Sequence, residues 1–289
     1  MKRLSRREFL GKTALGMGAA VFASNIPPAA KPGASAPRIA FPVGFQSWTI
    51  REPLVKDFPG TLKMMAGLGY ESIEMCSPKG YANSGFGPLA GLTASEMKKI
   101  INDAGLICVS SHYVMNELRE SLDERIKFAL ESGQTQMILS SFGLRSTATL
   151  DDWKKAAEEL NQIGKKVKQA GLQMGFHNHN NEFQQLEGRI IYEELMNAFD
   201  PDIVKMQFQV AVISMGYKAA DYFRKYPGRF ISAHLYDWSP DTKRETPLGK
   251  GIVDFRELFA STGIGGVKNV FVEMSQDTFK ESAEFLRNF

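Results

Sequence analysis

Two of the four histidines in this 289-residue chain lie two positions apart, in Gly175-Phe176-His177-Asn178-His179-Asn180-Asn181-Glu182-Phe183. The segment closes an apolar run, Leu172-Gln173-Met174-Gly175-Phe176. If the run is a strand, alternation places Gln173, Gly175, His177 and His179 on one face and Leu172, Met174 and Phe176 on the other. Two imidazoles on one face at the end of a buried strand cost free energy unless something binds them, and a divalent metal ion would. An exposed loop rich in His and Asn has the same composition, so the segment alone leaves both readings open.

The elements that must position these residues alternate along the chain. Apolar runs predict strands at 43–48, 70–75, 106–111, 136–141, 172–177, 203–209, 230–235 and 269–273. Amphipathic patterns predict helices near 57–67, 93–104, 121–132, 150–170, 189–198, 217–226, 254–261 and 276–287. Thr93 with Glu96 and Ser121 with Glu124 have capping-box spacing, and Gly105 and Gly133 stand where C-terminal caps belong. Trp153, Ala157, Leu160, Gly164, Val167 and Gly171 form one helical stripe. Repeated strand–helix alternation forces parallel strands, and eight units predict a single (β/α)8 TIM barrel over 37–289. An open doubly wound sheet is the rival, but no strand leads into a Gly-x-Gly-x-x-Gly turn.

In such a barrel the site forms at the C-terminal strand ends. Alternation puts Lys205, Gln207 and Gln209 on one face of strand six. Phe230, Ser232 and His234 share a face of strand seven, opposite Ile231, Ala233 and Leu235, and Asn269, Phe271 and Glu273 share a face of strand eight. Strand two ends at Glu74 and strand three runs into His112. Three histidines and a glutamate at strand ends predict a metal-centred site.

Charge divides the chain. Of 35 Lys and Arg and 32 Asp and Glu, residues 1–36 hold six basic residues against Glu8 alone, which leaves 29 basic and 31 acidic residues in the remainder. The body therefore has no polyanion-binding balance, and nucleic acid is not an expected partner. Ser5-Arg6-Arg7-Glu8-Phe9-Leu10, followed by a short Gly/Ala-rich apolar run, reads as a twin-arginine export signal with linker over 1–36. It predicts a periplasmic or secreted protein without a stable membrane anchor. Cys76 and Cys108 lack framework or zinc spacing and read as small core residues.

From about Val43 onward the chain resembles the sugar phosphate isomerase/epimerase family of xylose isomerase-like barrels. The resemblance lies in Gly69-Tyr70-Glu71-Ser72-Ile73-Glu74, Gly175-Phe176-His177-Asn178-His179 and Gly228-Arg229-Phe230-Ile231-Ser232-Ala233-His234-Leu235-Tyr236-Asp237. It continues through Gly249-Lys250-Gly251-Ile252-Val253-Asp254-Phe255 and Val272-Glu273. In the family's ketose epimerases, a glutamate, an aspartate, a histidine and a second glutamate hold one metal ion. The resemblance implies His177, Gln207, His234 and Glu273 at those positions, with Gln209 and His179 as fallbacks. Glu273 and His177 then take the catalytic positions. A shell with one carboxylate implies one divalent ion, with Mn2+, Fe2+, Co2+ or Zn2+ favoured over Mg2+.

The resemblance implies a metal-dependent enzyme acting on a carbohydrate or keto-sugar, by isomerisation or epimerisation. Loss of the paired glutamates makes a single-base reaction the alternative: a lyase or hydrolase of a 3-keto-glycoside, working by elimination beside a metal-bound carbonyl. A non-catalytic sugar-binding barrel is a further alternative. Glu74, His112, His179 and Glu182 are candidates for substrate contact or for a second acid, with Trp48 and Trp238 stacking on a sugar face. The expected partner is a small sugar, and a homo-oligomer is compatible with the sequence.

Overall fold

Eight parallel strands close into a barrel in a computed structural model that describes Ile39 and residues 41–289. The strands are β1 (Val43–Gln46), β2 (Ser72–Cys76), β3 (Ile107–Tyr113), β4 (Gln136–Leu139), β5 (Gln173–His177), β6 (Val204–Gln209), β7 (Phe230–Leu235) and β8 (Asn269–Val272). Each pairs with its chain neighbours, and β1 closes the ring on β8 through Val43–Val270, Gly44–Phe271 and Phe45–Val272. The export signal and linker expected over 1–36 lie outside the described residues. Among the described residues no helix is long and apolar enough to cross a membrane.

The helices are α1 (Arg51–Lys56), α2 (Phe58–Gly67), α3 (Ala94–Asp103), α4 (Met115–Ser132), α5 (Leu150–Gln169), α6 (Ile191–Ala198), α7 (Ala219–Lys225), α8 (Phe255–Gly265) and α9 (Phe279–Arg287). The Thr93–Glu96 capping box forms at the start of α3. Ser121, expected to begin a helix, instead kinks α4, which starts six residues earlier and has non-helical angles there (φ −141°, ψ 30°). On α5, Ala157, Leu160, Gly164 and Val167 are buried as expected. Gly171 is not part of that stripe: it lies exposed beyond the helix with φ +85°. A Cβ on Gly164 would lie 2.6 Å from Ile203 and 3.3 Å from Met174, so glycine lets α5 approach β5 closely.

The main core fills the layer between the helices and the outer strand faces, with Phe176, Met206, Phe208, Leu235 and Val272 fully buried. Inside the barrel, alternation brings polar side chains together. At the N-terminal end, Gln136 of β4 and Asn269 of β8 exchange amide hydrogen bonds of 3.0 and 3.2 Å across the barrel. One strand departs from the expected parity. The β6–β7 register shifts between Met206–Phe230 and Gln207–Ser232. Phe230 therefore packs outward on Phe208 and Phe223, with centroids at 6.0 and 4.7 Å. Ile231 turns inward, 3.6 Å from where a Cβ on Gly175 would sit, and Ser232 faces inward beside it. The bulge restores phase so that His234 points to the axis. Cys76 and Cys108 are buried free thiols.

Candidate active site

The C-terminal ends of β3, β5 and β7 bring His112, His177 and His234 together, with one potential ligand atom from each ring lying within 4.8 Å of the others. Ring centroids are 4.9 Å apart for His112–His177, 4.5 Å for His177–His234 and 5.2 Å for His112–His234. His179 lies edge-on to His177 at 4.8 Å but on the exposed side. All four histidines of the chain thus gather at one end of the barrel.

Two carboxylates flank this group and differ in access. Glu273, immediately after β8, keeps 14% of its side chain exposed. Its Oε2 accepts from His234 Nδ1 at 2.8 Å and from Gln209 Nε2 at 2.6 Å. Glu74, on β2, is wholly buried. Its Oε1 accepts from Ser110 Oγ (2.6 Å) and Gln207 Nε2 (2.8 Å). Its Oε2 accepts from Gln46 Nε2 (2.8 Å) and His234 Nε2 (2.6 Å), with His112 Nε2 at 3.2 Å. Burial works to raise the Glu74 carboxyl, but the His112 and His234 rings outweigh it and hold it well below the usual carboxylate range. Burial likewise opposes ionisation of Glu273, and His234 again prevails, lowering it.

The histidines respond in opposite senses. Burial tends to discharge His234, yet the flanking Glu273 and Glu74 carboxylates lift it to about 9. Burial, reinforced by the surrounding imidazoles, holds His177 well below the ordinary histidine value, so it is neutral at pH 7. Its Nδ1 is buried and has no hydrogen-bond partner. A buried, unpaired imidazole nitrogen beside two further imidazoles and a carboxylate is a donor set that suits a borderline divalent cation. His112, His177, His234 and Glu273 are the residues that would hold it. Gln207 stands at the same level, but both ends of its amide are engaged: Nε2 donates to Glu74 and to Ser232 Oγ (2.9 Å), and Oε1 faces His112 Nε2 at 2.7 Å. Gln209 braces Glu273 and also accepts from Ala211 N at 3.1 Å.

The other expected residues line the rim or support it. Glu182 is buried and accepts from the His179 backbone N–H at 2.7 Å; burial raises its carboxyl to about 7. Trp48 is half-buried under the Arg51 guanidinium, 4.5 Å from the ring centroid, and Trp238 starts a short hairpin (Trp238–Ser239 with Arg244–Glu245). Sequence reasoning missed Gln46 and Ser110, although inward parity at the barrel end was the signal available for each, and it placed Ser232 on the His234 face without giving it a role. It also missed Asp237, a buried carboxylate that organises the loop after β7. One oxygen accepts from Gly249 N and Gly251 N (both 2.9 Å), and the other from Trp238 N (2.9 Å) and Val253 N (3.1 Å).

A profile of the xylose isomerase-like TIM barrel matches residues 62–289, well over half of the chain. The chain belongs to this family. Its curated relatives include an inosose dehydratase 2 from Bacillus cereus, 27% identical over 163 residues that cover 50% of this chain and 54% of the relative. The chain thus matches about half the length of such relatives. Among solved structures, a sugar phosphate isomerase/epimerase from Parabacteroides distasonis superposes with TM-score 0.70 at 24% identity, covering 90% of this chain and 96% of that one. The IOLI protein, solved with a bound zinc atom, gives TM-score 0.60 at 13% identity, covering 86% and 95%. At such identities the structural likeness establishes the fold.

Proposed function

We propose that this barrel is a divalent-cation-dependent lyase that eliminates water, or another β-leaving group such as a glycosidic alcohol, from a keto-sugar or keto-cyclitol. The supporting observation is the asymmetry of the two carboxylates. Glu273 reaches the open side and can take a proton from the carbon next to a carbonyl. Glu74 is wholly buried and already accepts four hydrogen bonds within 2.8 Å, so it cannot act as a second base on the opposite face of a substrate. Epimerisation by two opposed carboxylates lacks one partner here, whereas elimination needs one base and one acid. In the proposed reaction the C–H bond breaks and its proton passes to Glu273. The β C–O bond then breaks, and the departing oxygen takes a proton from the His179 ring in its imidazolium form; desolvation lowers the pKa of that ring, so mildly acidic conditions favour this step. A cation held by His112, His177, His234 and Glu273 would polarise the carbonyl and acidify that C–H bond. The dehydratase names among the curated relatives agree with this reading. A Zn2+, Mn2+, Fe2+ or Co2+ ion fits the imidazole-rich set better than Mg2+. We read the twin-arginine segment as directing the protein to the periplasm or beyond.

Isomerisation or epimerisation is the second reading, favoured by the likeness to the Parabacteroides distasonis protein. Mass spectrometry after incubation with keto-cyclitols and 3-keto-glycosides in D2O separates the two. Loss of water or alcohol supports the lyase, whereas an unchanged skeleton with one deuterium exchanged on carbon supports the epimerase. Glu273→Gln should reduce turnover about 10²- to 10⁴-fold, and full activity in that variant would remove Glu273 from the base role.

A further inference from the structure

The hydrogen-bond donors around Glu74 determine more than its ionisation. Both Glu74 oxygens can only accept, so the Gln207 amide must present Nε2 to Oε1, because the reverse orientation would set two acceptors 2.8 Å apart. Gln207 Oε1 then faces His112 Nε2 at 2.7 Å, which requires that nitrogen to carry a hydrogen. His234 Nε2, 2.6 Å from Glu74 Oε2, must carry one for the same reason. The geometry points to Glu74 as a positioning residue that keeps a hydrogen on Nε2 of two histidines, on His234 directly and on His112 chiefly through Gln207 beside a longer direct contact of 3.2 Å, so that Nδ1 is the nitrogen each ring can offer to a ligand. For His234, that nitrogen holds the proton shared with Glu273 in the metal-free protein, and a ligand bound there would replace it. The consequence for a bound cation rests on the function proposed above: His112 and His234 would bind it through Nδ1, and Gln207 would serve as the lock on His112.

The arrangement also accounts for a carboxylate with no exposure beneath a cluster of imidazoles. An apolar residue at position 74 would leave Gln46, Ser110, Gln207 and His234 each with a buried donor lacking a partner. A glutamine there would present an N–H to one of those donors, and a neighbouring amide or ring would have to turn.

Long-range 1H–15N spectra of the metal-free full chain, labelled at histidine, read these tautomers directly, and single histidine variants assign the four rings. In the wild type, His112 should show the Nε2–H pattern and His234 a protonated Nε2. In Glu74→Gln, at least one of the two should change. In Gln207→Met, His112 alone should change, and this second variant keeps the test open if Glu74→Gln does not fold. The dissociation constant for Co2+ should rise about ten- to a hundredfold in either variant. An Nδ1–H pattern for His112 in the wild type, or spectra unaltered by both substitutions, would overturn the assignment. Locked tautomers in a protein that binds no Co2+ would uphold the positioning role of Glu74 and refute the metal dependence proposed above.

Discussion

His234 lies between two carboxylates, Glu74 on Nε2 and Glu273 on Nδ1, and the proton it shares with Glu273 occupies the position from which a ligand would be bound. With its pKa at about 9, His234 is an imidazolium through neutral pH in the metal-free protein. A cation binding at Nδ1 displaces that proton, so affinity is depressed below the pKa and recovers as pH rises towards it. The Co2+ dissociation constant is expected to fall up to about tenfold per pH unit between roughly 6.5 and 9 and then to level off. Titrations at fixed ionic strength in non-coordinating buffers check this, and a flat profile would mean that this proton does not compete. His177 adds no such dependence, since burial keeps it neutral over the same range. The identities of these residues, and the strand ends that carry them, were legible in the sequence. The orientation of the Gln207 amide was not: it is set by Glu74, 133 residues away, and local periodicity carries no signal for such a contact.

At the scale of elements, the strands and helices follow from alternation and capping, and the departures have local causes. The β6–β7 bulge turns Phe230 outward onto Phe208 and Phe223, where an aromatic cluster against α7 accepts it. The loop after β7 could not be read from periodicity, because its organiser is a single carboxylate bonding four backbone N–H groups. Gly251 is held there by close approach: a Cβ would lie 2.2 Å from Asp237 Oδ1 and 2.5 Å from the Trp238 carbonyl oxygen. Gly251→Ala is therefore expected to loosen the 237–253 loop at a cost of about 1–3 kcal/mol. Limited proteolysis should cut the variant within that loop while the strands stay protected. Wild-type resistance in the variant would show that the loop accommodates the methyl group. With Trp238 on the same loop, KM for a sugar should rise more than kcat falls.

For the whole molecule, a cation held as proposed by residues of β3, β5 and β7 together with Glu273 would tie together segments from across the chain. Ligand that binds only the folded state stabilises it by about 2.7 kcal/mol at a hundredfold excess over Kd. In a domain of this size that corresponds to a rise in Tm of roughly 5–10 °C. Calorimetry with Co2+ or Zn2+ against chelated protein measures it, and equal Tm values would argue against a specific site. Barrel closure was legible because eight strand–helix units have few other ways to bury their apolar faces.

The cross-barrel amide pair, Gln136 with Asn269, joins the fourth strand to the eighth, so the two halves of the ring meet at its floor. The site above divides along the same line. Glu74 and His112 come from the first half of the chain, and His177, Gln207, His234 and Glu273 from the second. Neither half holds the whole network: the Glu74–His234 and His112–Gln207 hydrogen bonds each join a residue of the first half to one of the second. The His112 and His234 ring signals that mark the site therefore also report that the two halves of the chain have come together.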